Sequence, residues 1–283
     1  MPEGDTVWLA GRRLHDALHG QILLGSDFRV PALATVDLSG RTVTEVVSRG
    51  KHLLTRITGE LTLHTHFRME GSWHLYRPGE RWRGGADWQV RVVLSTPEWT
   101  AVGYRLPVVE LLARSRENDA VGHLGPDILG PDWDPAEARR RLLVVPEREV
   151  GDALLDQRNL AGIGNLYKAE ACFLAGISPW TPVGTVKDLA ALVDLGARLL
   201  QANKGSWAQV TTGDPRRGRS HWVFERSGLP CRRCGARVLL ATQGVAPYDR
   251  LSYWCPHCQP GPAPPPIRRA DLHRPRGRTR YRP

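Results

Sequence analysis

Pro2 followed by Glu3 is the pair in this chain with the shortest route to covalent chemistry. An initiator Met that precedes a small residue is normally removed, so the expected mature terminus is the imino group of Pro2. An α-amine has a pKa of about 7.7–8.0, against about 10.4 for a lysine, so far more of it is neutral and nucleophilic at neutral pH. Attack by a secondary amine on a sugar C1′ gives an iminium ion, which is an electron sink. The Glu3 carboxylate beside it is suited to moving protons. A Met-Pro start is commonplace by itself and gains weight only from the company it keeps.

Five cysteines offer a second chemistry, four of them in two tight pairs. Cys231-Arg-Arg-Cys234 and Cys255-Pro-His-Cys258 flank twenty residues. Two such knuckles can close a tetrahedral thiolate shell around one Zn²⁺, and four sulfur ligands leave no open position, so the zinc is expected to be structural. His257 lies inside a knuckle as a bystander, and Cys172 falls in a helical stretch as a buried thiol. His64-Thr-His66 puts two imidazoles on one strand face. No third ligand follows at a convincing spacing, which favours a structural role.

Between these lies Leu154-Leu-Asp-Gln-Arg-Asn-Leu-Ala-Gly-Ile-Gly-Asn165, a glycine turn that leads into a helix. Free N–H groups and a partial positive charge at a helix N-terminus suit a phosphate, with Asn165 as an added donor. The net charge of +10 points the same way, toward a polyanionic partner. Seven arginines and one aspartate in residues 259–283 make the tail strongly basic and leave the body mildly so.

These groups need elements to hold them. Residues 5–19 read as a helix with Val7, Ala10, Leu14 and Leu18 near one face and Gly20 as its stop. Stretches 21–30, 42–58, 61–76 and 89–105 alternate like strands. Residues 1–120 are therefore expected to be one helix leaning on a two-layered antiparallel β-structure. The Gly- and Pro-rich segment 121–134 reads as a connector. Helices are expected at 135–144, 148–156, 163–175 and 185–202, an Arg-rich loop at 203–230 and a small metal module at 231–258. The Pro- and Arg-rich end reads as disordered, serving either as an electrostatic tether to a polyanion or simply for solubility. No signal-peptide pattern and no long apolar run are visible, and paired cysteines without a disulfide context suit a reducing cytoplasm.

Four features coincide: Pro2-Glu3-Gly4, Arg49-Gly50-Lys51, the 154–170 pattern LLDQ-x3-AGIGN-x-Y-x2-E, and a four-Cys finger ending Tyr-Trp-Cys-Pro-His-Cys-Gln259. The chain thereby resembles the formamidopyrimidine-DNA glycosylase and endonuclease VIII family over about residues 2–259. Pro-Glu-Gly-Asp-Thr and His66-x-x-Met69-x-Gly71-x-Trp73 are closer to the endonuclease VIII branch, especially its actinobacterial members. The resemblance implies an α+β fold: an N-terminal helix plus antiparallel β-sandwich (2–120), a linker (121–134), a helix-two-turn-helix domain (135–225), a zinc β-hairpin finger (226–259) and a disordered basic tail (260–283).

It also implies a bifunctional glycosylase and abasic-site lyase. Such an enzyme acts on oxidised bases, mainly pyrimidines, in damaged DNA, duplex or single-stranded, as a monomer in the cytoplasm of a bacterium, at the nucleoid. Carried over by motif, Pro2 is the nucleophile and Glu3 the proton shuttle. Lys51 binds phosphate and assists elimination, and Arg250 grips phosphate for the δ step. Asn165 and His123 are phosphate contacts, His123 standing where relatives use Arg. Met69 is the wedge that fills the hole left by a flipped base, and Arg68 meets the orphaned partner. Glu170 is expected to organise the N-terminus. Val102-Gly-Tyr-Arg-Leu-Pro107 lacks the Arg-x-Phe pair of the guanine-lesion branch, and Glu70 replaces a frequent aromatic. The rival readings are a zinc-finger DNA-binding protein without catalysis, which needs neither Pro2 nor Glu3, and a metal-dependent nuclease, for which no carboxylate cluster is visible.

Overall fold

Val7, Ala10, Leu14, Ala17 and Leu18 recur at helical spacing and are all buried. They define the inner face of α1, Gly4–Leu18. The computed structural model describes residues 2–245 and 249–267. α1 lies on one of two four-stranded antiparallel sheets. Its strands are β2 (Val43–Arg49), β3 (His52–Ile57), β4 (Leu61–His66) and β8 (Val108–Ala113), in the order β2-β3-β4-β8. The other sheet holds β1 (Gly25–Phe28), β5 (Ser72–Tyr76), β6 (Val90–Ser95) and β7 (Thr100–Tyr104), in the order β1-β6-β7-β5. Alternate residues of both sheets, including Leu53, Leu63, Val92, Leu94 and Ala101, join the apolar face of α1 in one core. At about 25 cal/mol per Å² of apolar surface removed from water, this layer holds the first unit together.

Each long β-like stretch of the sequence divides in two, because a tight turn interrupts it. Arg49 pairs with His52 across Gly50-Lys51, and His66 is separated from Ser72 by the 67–71 turn. Strand β8 and the short helix α2 (Glu117–Val121) had no counterpart in the sequence reading.

Compactness divides the chain into two units, the first comprising Met1–Arg141, Asp156–Gly164 and Leu200–Ala208, the second Leu142–Leu155, Asn165–Leu199 and Gln209–Pro283. The expected connector, 121–134, is not a free tether. Leu124 and Ile128 are buried, Gly125 N–H donates to Gln157 O at 2.8 Å, and Ala161 N–H donates to Pro126 O at 2.9 Å. Its glycines and prolines serve close packing against the 156–164 loop rather than mobility.

Helices α3 (Pro135–Leu142), α4 (Val150–Leu155), α5 (Asn165–Leu174) and α6 (Leu189–Asn203) fall where helices were expected. In the second unit α5 is buried along most of its length and packs on the hairpin of β9 (Leu239–Gln243) and β10 (Arg250–Trp254). Lys168, fully buried, donates to Ser252 Oγ and to Gln243 Oε1. The expectation of disorder from residue 260 needs correcting. Ile267 N–H donates to Leu240 O at 2.7 Å and Ser178 Oγ donates to Pro262 O, so 260–267 lie against the finger and the segment before it. Residues 268–283, which hold the tail's arginines, lie outside the described residues. Among the described residues no helix is long and apolar enough to cross a membrane.

Candidate active site

Glu3 is fully buried at the start of α1. Its Oε2 accepts the N–H of Gly164 at 2.8 Å. The approach is possible only because position 164 lacks a side chain: a Cβ there would lie 2.5 Å from Glu3 Cδ. Gly4 and Gly162 meet just as closely. Gly4 N–H donates to Gly162 O at 2.9 Å, a Cβ on Gly4 would be 2.8 Å from Gly162 Cα, and Gly162 itself has φ +111°, which side chains disfavour. The glycine turn, read from sequence as a phosphate cradle, therefore gives an N–H to the N-terminal carboxylate.

Lys51 reaches the same turn from the β2–β3 hairpin. Its Nζ donates to Ile163 O at 2.6 Å, and Gln157 Nε2 donates to that oxygen at 3.0 Å. The Ile163 carbonyl and the Gly164 N–H are two ends of one peptide group. That group thus carries a lysine ammonium on its oxygen and a glutamate carboxylate on its N–H. Each charge polarises the amide in the direction that strengthens the other bond. The hairpin is fixed from behind: Gly50 N–H donates to buried Asp127 Oδ2 at 2.7 Å, and Arg49 pairs with Asp132. Burial pushes the Asp127 carboxyl up, against the N–H bonds from Gly50 and Leu129. Gln157 and Asp127 were not anticipated as site residues. Gln157 was visible inside the LLDQ motif, whereas Asp127 meets Gly50 only through the fold.

Four histidines gather on the outward face of the β2-β3-β4-β8 sheet beside Lys51. His52 and His66 are cross-strand partners, and His64 is paired with Glu110 of β8. His52 Nδ1 and His64 Nε2 are 2.9 Å apart, and His64 Nδ1 lies 3.0 Å from Glu110 Oε2. His123 stands with its ring centroid 5.9 Å from that of His52. Burial, then the neighbouring histidines and Lys51, lower His52 to about 3. Burial, Lys51, His64 and Arg68 lower His66 to about 4.

The 67–71 turn carries Met69, which is 62% exposed. Arg68 adopts φ +46° and its N–H donates to His66 Nδ1 at 2.9 Å. Arg105, also at positive φ, donates to Glu70 O, Gln89 Oε1 and Gly84 O, bracing this turn against two others.

In the second unit, Asn165 opens α5 and its Nδ2 donates to Leu251 O at 2.8 Å, which places it beside Arg250 on β10. Arg250 is exposed and donates to Asp249 O. Glu170 has a different task from the one expected. Its Oε1 accepts the N–H groups of Val223 and Phe224, both at 2.9 Å, and its Oε2 accepts the Trp222 N–H at 2.8 Å and the Thr211 hydroxyl. This carboxylate ties the 211–224 segment to α5.

The sulfurs of Cys231, Cys234, Cys255 and Cys258 all lie within 4.8 Å of one another. Cys231 and Cys258 Sγ are 3.9 Å apart, and Cys234 and Cys255 Sγ 3.5 Å. A tetrahedron with metal–sulfur bonds of about 2.3 Å has edges of about 3.8 Å, so the cluster fits a metal and is too open for disulfides. Cys172 is elsewhere and fully buried, its thiol pushed up to about 12 by burial, which makes it inert.

The model of the formamidopyrimidine-DNA glycosylase N-terminal domain matches residues 1–105, and that of the formamidopyrimidine-DNA glycosylase H2TH domain matches 124–201. The chain belongs to the formamidopyrimidine-DNA glycosylase family. Within the family it sits with the endonuclease VIII branch. It is 57% identical to the probable endonuclease 8 2 of Streptomyces coelicolor, covering 100% of this chain and 99% of the relative. It is 46% identical to the DNA-(apurinic or apyrimidinic site) lyase Nei2 of Mycolicibacterium smegmatis, over 92% and 99%. Endonuclease 8 of Escherichia coli is 34% identical, over 92% and 100%. A solved structure of Lactococcus lactis Fpg with an oxidised-pyrimidine DNA matches in fold, with TM-score 0.75, 24% identity, and 92% and 100% coverage.

Proposed function

We propose that this protein is a DNA glycosylase and abasic-site lyase of base excision repair, acting mainly on oxidised pyrimidines through Pro2. The observation that carries the reading is the Ile163–Gly164 peptide, held by Lys51 at one end and by the Glu3 carboxylate at the other. It holds the Glu3 carboxylate one residue from Pro2 with Lys51 on the same support, which supports an acid–base role for Glu3 beside a Pro2 nucleophile. A zinc-finger binding protein without catalysis has no use for either.

In the proposed reaction the Pro2 nitrogen attacks C1′ and the damaged base departs. Glu3 protonates the opening sugar oxygen, leaving an iminium ion. Loss of a C2′ proton then expels the 3′ phosphate, and a second elimination expels the 5′ phosphate. Lys51 stabilises the departing phosphate, and Arg250 takes the same role in the δ step. Met69 and Arg68 enter the stack in place of the flipped nucleotide, while Asn165 and His123 contact phosphates. Cys231, Cys234, Cys255 and Cys258 hold one Zn²⁺, which supplies rigidity to the hairpin that carries Arg250 and takes no part in bond-making. The partner is damaged DNA, met by a monomer in the cytoplasm at the nucleoid.

Borohydride trapping on a duplex with thymine glycol or an abasic site tests this. The expected result is a covalent protein–DNA adduct that survives denaturation and weakens sharply in Pro2→Gly. A protein that cleaves lesions with Met1 still in place would overturn the proposal.

A further inference from the structure

Glu110, His64 and His52 form a continuous hydrogen-bonded line across three adjacent strands, ending beside Lys51. The rings of His52 and His64 are 14° from parallel with centroids 5.1 Å apart. That distance is what an in-plane bond from one ring nitrogen to the other requires. An ionised carboxylate can only accept, so it fixes every tautomer in the line. His64 donates Nδ1–H to Glu110, His64 Nε2 accepts Nδ1–H from His52, and His52 Nε2 is left as an acceptor.

We propose that this line is a proton relay that converts His52 into a phosphate donor when DNA arrives, so that binding takes up a proton. The inference rests on the proposed reading that the Lys51 side of the sheet faces DNA phosphate. A phosphate oxygen cannot donate to an Nε2 lone pair, so the resting tautomer is mismatched to it. One proton from solvent bonds to His52 Nε2. The Nδ1 proton of His52 passes to His64 Nε2. His64 becomes an imidazolium with both nitrogens protonated, next to the Glu110 carboxylate. His52 stays neutral and now offers Nε2–H.

The arrangement explains why the charge must travel. Lys51, His66 and His123 surround His52 and oppose a positive charge on its ring, and Arg49 is its cross-strand partner. One ring further away, the charge meets a carboxylate. His64 is buried with its side chain 5% exposed, while Glu110 is 54% exposed on the edge strand, so the charge that reaches His64 from the His52 end meets a carboxylate that keeps much of its own hydration. In the free protein His52 is neutral at physiological pH, as the uptake step requires.

The test is titration calorimetry of the full-length zinc-loaded protein with a duplex carrying a tetrahydrofuran abasic analogue, at pH 7 in PIPES and in Tris. The buffers differ in ionisation heat, so a linked proton appears as a heat difference. The wild type is expected to take up about one proton per duplex, its Kd rising up to tenfold for each pH unit above neutrality. Glu110→Gln, on an exposed edge and checked for an unchanged melting temperature, is expected to lose more than half of that uptake. His52→Asn is expected to lose it too. Equal heats for the wild type in both buffers, or full uptake retained in Glu110→Gln, overturns the relay. Borohydride trapping on the same preparation keeps the two readings apart: trapping without proton uptake sinks the relay alone, and uptake without trapping sinks the proposed lyase alone.

Discussion

Glu3 and Glu170 are both glutamates, both fully buried, and both accept main-chain N–H groups. Glu170 takes three such groups and a hydroxyl, spread over both oxygens, and all come from one segment, 211–224. Glu3 sits at a chain terminus, one residue from the proposed nucleophile, and its N–H donor belongs to a peptide that also holds Lys51. Burial and backbone bonding alone therefore do not separate a proposed catalyst from a strut. What separates them is the neighbour: a closed loop for Glu170, the proposed nucleophile Pro2 and the Lys51 ammonium for Glu3.

Four substitutions would break or sharpen this contrast. Glu3→Gln keeps an oxygen for the Gly164 N–H but cannot shuttle protons, so base excision should fall by about 10²–10⁴-fold with the melting temperature nearly unchanged. Normal excision of a damaged pyrimidine by that variant would remove Glu3 from the chemistry. Gly164→Ala forces a methyl into the Glu3 carboxyl, and displacement of about 1 Å should cost about 10²-fold in single-turnover excision. Should it match the wild type, the close approach has no functional meaning.

Glu170→Ala is expected to act in the opposite sense. It leaves three main-chain N–H groups without their carboxylate, at about 1–3 kcal/mol for each that stays buried and unpaired. Denaturant unfolding should register the loss of several kcal/mol, while excision per folded molecule changes far less than in Glu3→Gln. The smallest effect is expected from Met69→Ala. The side chain is exposed in the free protein, so stability should not move, and KM for a lesion duplex should rise about tenfold, equivalent to about 1.4 kcal/mol.

The metal site extends the comparison to the finger. Cys231→Ser should release zinc and weaken DNA affinity while circular dichroism still reports a folded first unit. Full activity after verified zinc removal would show that the hairpin holds Arg250 without it.

Much of this was legible in the sequence. The spacing of Cys231, Cys234, Cys255 and Cys258 predicts a cluster because two short knuckles can converge with little cost in chain entropy. Helical periodicity located α1 and the later helices within a few residues, since local hydrogen bonds and one apolar face specify them. The twist of function in the 154–165 turn was not legible. Its glycines let the backbone turn tightly, and one of its N–H groups goes to Glu3, a contact made 161 residues away in sequence that no local pattern announces. The packing of 121–134 was not legible for the same reason: Gly and Pro mark irregular backbone whether it is mobile or tightly packed. Glu110 and His52 gave no signal at all, because cross-strand register, not spacing, aligns them with His64.

By itself, then, the sequence determined what depends on near neighbours: a terminal Pro-Glu, two cysteine knuckles, helix faces and strand alternation. Only tertiary structure decided which distant groups share a peptide, a carboxylate or a proton. Those pairings depend on how the chain closes its long loops, and no local pattern encodes that.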